Sequence, residues 1–96
     1  MKRTNETTLK EAVERMVDAF GLRERLDEQA VASLWDDLVG GMVARHTVAV
    51  KLRKGKLFIK VDSAPLRQEL TFMREALMTE INRRIGRRVV EKVQLD

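Results

Sequence analysis

The chain contains no cysteine and no tyrosine, and its 96 residues include one proline, one histidine and one tryptophan. Without cysteine there is no disulfide framework, no thiolate nucleophile and no zinc ribbon. A lone imidazole among scattered carboxylates is a poor transition-metal set, and neither an H-E-x-x-H motif nor a Walker-type glycine loop occurs. Two serines remain as nucleophiles, Ser33 and Ser63, and the second stands where a helix needs an N-cap. Asp36 and Asp37 are adjacent, so on a helix they point about 100° apart and cannot flank one substrate as acid and base. These absences argue against an enzyme and against a cofactor, a metal or a small-molecule substrate. No apolar run approaches the roughly 20 residues of a membrane span, and "MKRTNETTLK" has no apolar stretch behind its basic residues. A cytoplasmic protein with no membrane partner is therefore expected.

What is present is ordinary for a small α+β domain: 44% apolar and 35% charged residues, without low-complexity tracts. A single domain over residues 1–96 is expected, with residues 1–7 as a flexible start. The net charge of +4 is unevenly spread. Residues 1–46 carry 7 basic and 9 acidic side chains, whereas residues 47–96 carry 12 and 6. A basic C-terminal half attracts phosphate, acidic protein or anionic surfaces without selecting among them.

Apolar spacing supplies the elements. Leu9, Val13, Met16, Val17 and Phe20 recur at helical intervals and predict a helix from about Thr8 to Ala19, closed by Gly21. Val31, Trp35, Leu38, Val39 and Met42 share one stripe of a second helix, about Asp27 to Arg45. From Thr47 the period becomes two. Val48, Val50 and Leu52 alternate with polar residues, as do Leu57, Ile59 and Val61 after "KG", predicting a hairpin whose turn uses Gly55. Ser63 and Pro65 open one long helix with Leu66, Leu70, Met73, Leu77, Ile81 and Ile85 on a single face, ending at Gly86. Phe72 lies off that face and is expected to pack against one of the first two helices. "RRVVEKVQL" has the β-branched content of a last strand of ambiguous phase.

The order α-α-β-β-α-β, with a right-handed crossover, predicts a three-stranded mixed sheet covered on one face by helices, the third strand parallel to the second. This arrangement resembles the type II KH fold, with one long helix where that fold has two helices joined by a Gly-x-x-Gly loop.

Strand alternation turns Lys51, Arg53, Lys56, Phe58 and Lys60 away from the helices. An aromatic ring among four cations suits single-stranded nucleic acid, whose bases stack on the ring while the cations take phosphates. Lys92 and Arg88 extend the patch if the last strand presents its even-numbered residues outward. Arg87 belongs with Arg83, Arg84 and Arg88 to a cluster at the negative end of a helix dipole, which suits phosphate contact and simple capping alike. The same lysines would also serve merely to keep an open sheet soluble. On the second helix Trp35 is central to the apolar stripe. Gly40 and Gly41 point to the far side at a cost of about 1 kcal/mol each relative to alanine, so either a kink or a closely approaching backbone is expected there.

The series Trp35, Val39-Gly40, His46-Thr47, Gly55-x-Leu57, Val61, Ser63-Ala64, Gln68-Glu69-Leu70, Ile81-Asn82 and Gly86 resembles the DciA-like family, first catalogued as domain of unknown function 721. Leu66 departs from the aromatic residue that many members carry. The resemblance implies a bacterial KH-like domain and, for the characterised branch, a factor without ATPase activity that binds DNA and helps the DnaB-type replicative helicase onto it. Trp35 is then a candidate for partner contact, with Gly40 and Gly41 beside it. The expected function is a non-enzymatic nucleic-acid-binding module, for DNA, acting with that helicase. Two alternatives stand beside it: a protein-interaction adaptor with no nucleic-acid binding, and an RNA-binding KH-like protein.

Overall fold

The structure is a computed structural model that describes residues 3–96; the expected flexible start falls in part on Met1 and Lys2, which lie outside the described residues. Eight elements follow in order: α1 (Arg3–Ala19), α2 (Arg23–Val39), α3 (Gly41–Arg45), β1 (Thr47–Arg53), β2 (Lys56–Val61), α4 (Ala64–Phe72), α5 (Arg74–Ile85) and β3 (Lys92–Leu95). The class is α+β, as the periodicity predicts. The strands form one sheet in the order β1-β2-β3, with β2 antiparallel to β1 and parallel to β3.

Two predicted helices are each interrupted. The second stops at Val39, because Gly40 takes φ 89°, ψ 166°, a conformation only glycine adopts without strain, and α3 restarts at Gly41. This kink is what the glycine pair is for. Apart from its chain neighbours, no atom of the described residues approaches within 4 Å of where a Gly40 side chain would begin, so the alternative of a closely packed backbone does not hold among them. The break also carries Met42 out of the apolar stripe and leaves it exposed. The long helix is broken at Met73, where the N–H bonds back to Leu70 rather than continuing the regular ladder. Just before it, the Thr71 hydroxyl donates to the Arg67 carbonyl at 2.7 Å, a back-bond that bends helices. Phe72, at this bend, is 77% exposed and does not pack on the first helices as expected.

The core lies between the sheet and α2, α4 and α5. Val31 and Trp35 from α2, Leu70 from α4 and Leu77 and Ile81 from α5 meet Leu52, Leu57, Ile59, Val61 and Val93 of the sheet, with Val89 and Val90 beneath them. Trp35, 1% exposed, donates its Nε1–H to Thr47 Oγ1 at 3.0 Å, and that hydroxyl donates to the Val43 carbonyl at 2.8 Å. One chain of bonds thus ties α2, β1 and α3 together. It also explains a misplaced strand residue. The pairing of β1 with β2 shifts between Thr47 and Ala49, and this bulge turns Thr47 inward while Val48, expected to face the helices, is exposed.

Asn82 holds the segment that leads into β3. Its Oδ1 accepts from the N–H groups of Val89 and Val90, and its Nδ2 donates to the Val90 carbonyl, each at 2.9 Å. Because Val90 is buried, these backbone groups would otherwise lack partners. The clamp fixes which face of β3 each side chain takes.

Candidate nucleic-acid interface

The uncovered face of the sheet is assembled by strand register. Arg53 lies opposite Lys56, and Lys56 opposite Lys92, so three cations form one row across all three strands. In the next row Lys51, Phe58 and Gln94 are in register, and in the third Ala49 faces Lys60. Adjacent strands are about 4.8 Å apart, so each row presents its charges within a few ångströms of one another. The Lys56 ammonium stands over the Phe58 ring at 5.3 Å from its centre.

The hairpin turn builds the basic end of this face. Lys54 and Gly55 both take positive φ, 51° and 80°, the pattern of a two-residue turn matched to strand twist. Lys51, Arg53, Lys54, Lys56 and Phe58 line an open hollow of about 470 Å³. A smaller one, of about 180 Å³, continues past the turn between Lys54, Lys56, Arg88, Glu91 and Lys92. The opposite end of the face differs in sign. Asp96 sits beside Lys60, its N–H bonded to the Ile59 carbonyl and its own carbonyl accepting from Val61, and Asp62 there is bonded to His46 at 2.8 Å. The positive potential is therefore concentrated at the turn.

Of the residues singled out in the sequence, Lys51, Arg53, Lys56, Phe58, Lys60 and Lys92 share this face, and Arg88 adjoins it. The phase of β3 is the one that the extended patch requires: Lys92 is exposed and Val93 buried. Arg87 is elsewhere. It pairs with Asp27 of α2, whose carboxylate is only 15% exposed, and so ties the segment after α5 to α2. Arg83 and Arg84 are both bonded to Glu80, at 3.1 and 2.9 Å through their Nε atoms. Sequence reasoning missed Lys54, whose place follows from the turn geometry, and Gln94, whose place needed the β3 phase.

The two arginines lower the Glu80 carboxyl from its ordinary 4.5 to about 2, chiefly through hydrogen bonds from Arg83 and then Arg84. A carboxyl depressed on folding contributes its stabilisation fully above its ordinary value and loses it as pH falls toward the folded one. The stabilisation from the Glu80 pairs is thus expected to be full above about pH 4.5 and to decline toward pH 2, while the carboxyl itself titrates in the folded chain with a midpoint near 2 in a carboxyl-carbon NMR titration. A midpoint near 4.5 would mean that the arginines are not held there.

A different feature protects the outer edge of β1. Glu28 Oε2 accepts from the Leu52 N–H at 2.9 Å and Glu24 Oε2 from the Lys54 N–H at 2.7 Å. Two edge donors are thereby closed by carboxylates of α2, which discourages strand addition.

The partner-contact candidates are divided. Trp35 is a core residue, so anything that docks on α2 meets the surface the indole supports rather than its ring. Gly40 and Gly41 are exposed at the kink, next to a groove of about 320 Å³ lined by Leu38, Val39, Val43, Leu70, Met73 and Leu77. Among the described helices none is long and apolar enough to cross a membrane.

Comparison with known proteins gives a family match over nearly the whole chain: residues 8–95 fit the model described as Dna[CI] antecedent, DciA. A UPF0232 protein of Corynebacterium glutamicum (strain R) is 29% identical over 65 residues, covering 68% of this chain and 36% of that protein. The chain thus matches about a third of the length of this curated relative. No solved structure is significantly similar.

Proposed function

This chain belongs to the DciA family, which is associated with loading of the DnaB-type replicative helicase, and we propose that it is a DNA-binding module of that system that does no chemistry of its own. The Arg53–Lys56–Lys92 row carries the reading. Three like charges in register repel one another, an arrangement that is relieved when phosphates replace their counterions. Phe58, half-buried in the next row, offers a ring edge and part of a face for a base, which favours single strands over duplex. RNA would meet the same charges, but the chain has no Gly-x-x-Gly loop to clamp a nucleic-acid backbone. The helicase would meet the apolar groove beside Gly40, on the helical side of the molecule, leaving the sheet free. Such a division lets one small domain hold both partners at once in the cytoplasm.

The test is fluorescence anisotropy of labelled single-stranded DNA, duplex DNA and RNA over a salt series. With about five phosphates engaged, log K for single-stranded DNA is expected to fall with log salt at a slope near −3.5. Flat anisotropy for every oligonucleotide at low salt, together with helicase binding through the groove, would establish the adaptor reading instead.

A further inference from the structure

The longest unpartnered feature of the molecule is α1. None of its described side chains belongs to the core cluster, and the described chain extends to 59 Å along one axis against 21 Å in the other two. Its apolar side chains are ordered on one face nonetheless. Leu9, Val13 and Met16, with Phe20 one residue past the end of the helix, lie within about 60° around its axis, and each is between 46% and 71% exposed. Ala12 and Val17 flank them. The intervals of four, three and four are those of a two-helix seam rather than of a helix lying on a sheet.

We propose that α1 pairs with α1 of a second copy of this chain, antiparallel, to form a homodimer. The stripe is self-complementary in that direction: Leu9 layers against Phe20 and Val13 against Met16 of the other copy, and the reverse pairs follow by two-fold symmetry. Small Ala12 and Ala19 border the seam and permit close approach. A parallel pair would bring together the two bodies at the C-terminal ends of α1, and with them two segments, residues 47–96, that each carry 12 basic and 6 acidic side chains. Antiparallel pairing sets the bodies at opposite ends of a helix about 25 Å long and opposes the helix dipoles. Leu9, Val13, Met16 and Phe20, at about 60–120 Å² each, with a small addition from the partly buried Ala12 and Val17, bury roughly 800 Å² over the two copies, the range of a weak pair that forms at high concentration. The polar side of α1 argues against a membrane as the occupant. It mixes Glu11, Glu14 and Asp18 with Lys10 and Arg15, with Glu6 at the edge of the stripe, whereas a helix lying on an anionic membrane is rich in cations.

The absence of cysteine makes the test clean. Val13→Cys and Met16→Cys chains are prepared separately, mixed at high micromolar concentration and mildly oxidised. The antiparallel pair is expected to give the mixed disulfide several-fold over either homodisulfide, and sedimentation of the unmodified chain is expected to give twice its 11.1 kDa mass. Val13→Glu with Met16→Glu is expected to halve that mass while leaving the circular-dichroism melt of the body in place, since α1 lies outside the core. Predominant homodisulfides, a chain that sediments as a monomer, or a Val13→Cys thiol shielded only when purified helicase is added would each overturn the proposal. Oligonucleotide binding is read separately, so failure here leaves the sheet-face reading standing.

Discussion

Replacing Trp35 with alanine is expected to cost about 3–5 kcal/mol of stability, read as a fall in the urea midpoint at unchanged slope. A domain of this size has about 5–14 kcal/mol in total, so the variant stands close to unfolding at body temperature. Two losses combine. The indole is the largest fully buried side chain and fills the space between α2 and the sheet, and its Nε1–H is bonded to Thr47, whose hydroxyl in turn donates to the Val43 carbonyl within α3. Trp35→Phe separates them. It retains most of the apolar volume and leaves the Thr47 hydroxyl its bond to Val43, so a cost of about 1–2 kcal/mol is expected. Equal losses for the two variants would mean that the hydrogen bond, not the packing, dominates. On the proposed helicase role, partner binding in Trp35 variants is expected to fall in step with the folded fraction, whereas a substitution at the exposed rim of the groove, such as Met73→Glu, weakens the partner without a matching loss of fold.

Reversing the cationic row, with Arg53, Lys56 and Lys92 all changed to Glu, is expected to weaken single-stranded DNA binding by about a hundredfold or more and to flatten the salt dependence by about 2 in slope. The effect should be specific to place. Lys10, Arg15 and Arg25 changed to Glu alter the net charge equally but lie on the helices, and a drop under about fivefold is expected from long-range attraction alone. Similar losses in both triples would show that DNA senses only net charge. Stability should change little in the row variant, because its three side chains project from the uncovered face and surface substitutions are normally within about 0.5 kcal/mol.

The edge glutamates and the Asn82 clamp show how the candidate interface depends on parts that do not touch it. Glu24 and Glu28 close the donors of β1 that a neighbouring chain would otherwise use, leaving the face of the sheet rather than its edge as the accessible surface. Asn82 sets the phase of β3, and with it the outward placement of Lys92 that completes the row. Neither role is visible in a periodicity, since each is a bond between residues with no regular spacing.

The sequence by itself determined the element types and their order, because a period of 3.6 or of 2 is written locally and the mixed sheet follows from crossover handedness. It also determined most of the candidate site: alternation along a strand places Lys51, Arg53, Lys56, Phe58 and Lys60 on one side, whatever the partner strands do. Tertiary structure decided the rest, because it depends on contacts between distant positions. The bulge at Val48 follows from the bond between Trp35 and Thr47, the pairing of Arg87 follows from Asp27 lying nearby, and the row of Arg53, Lys56 and Lys92 exists only through register. The break at Gly40 was half legible, since a glycine pair announces a departure from the helix but not its direction. The isolation of α1 was not legible at all: an apolar stripe states that something must cover it, and only the assembled fold reveals that its own core does not.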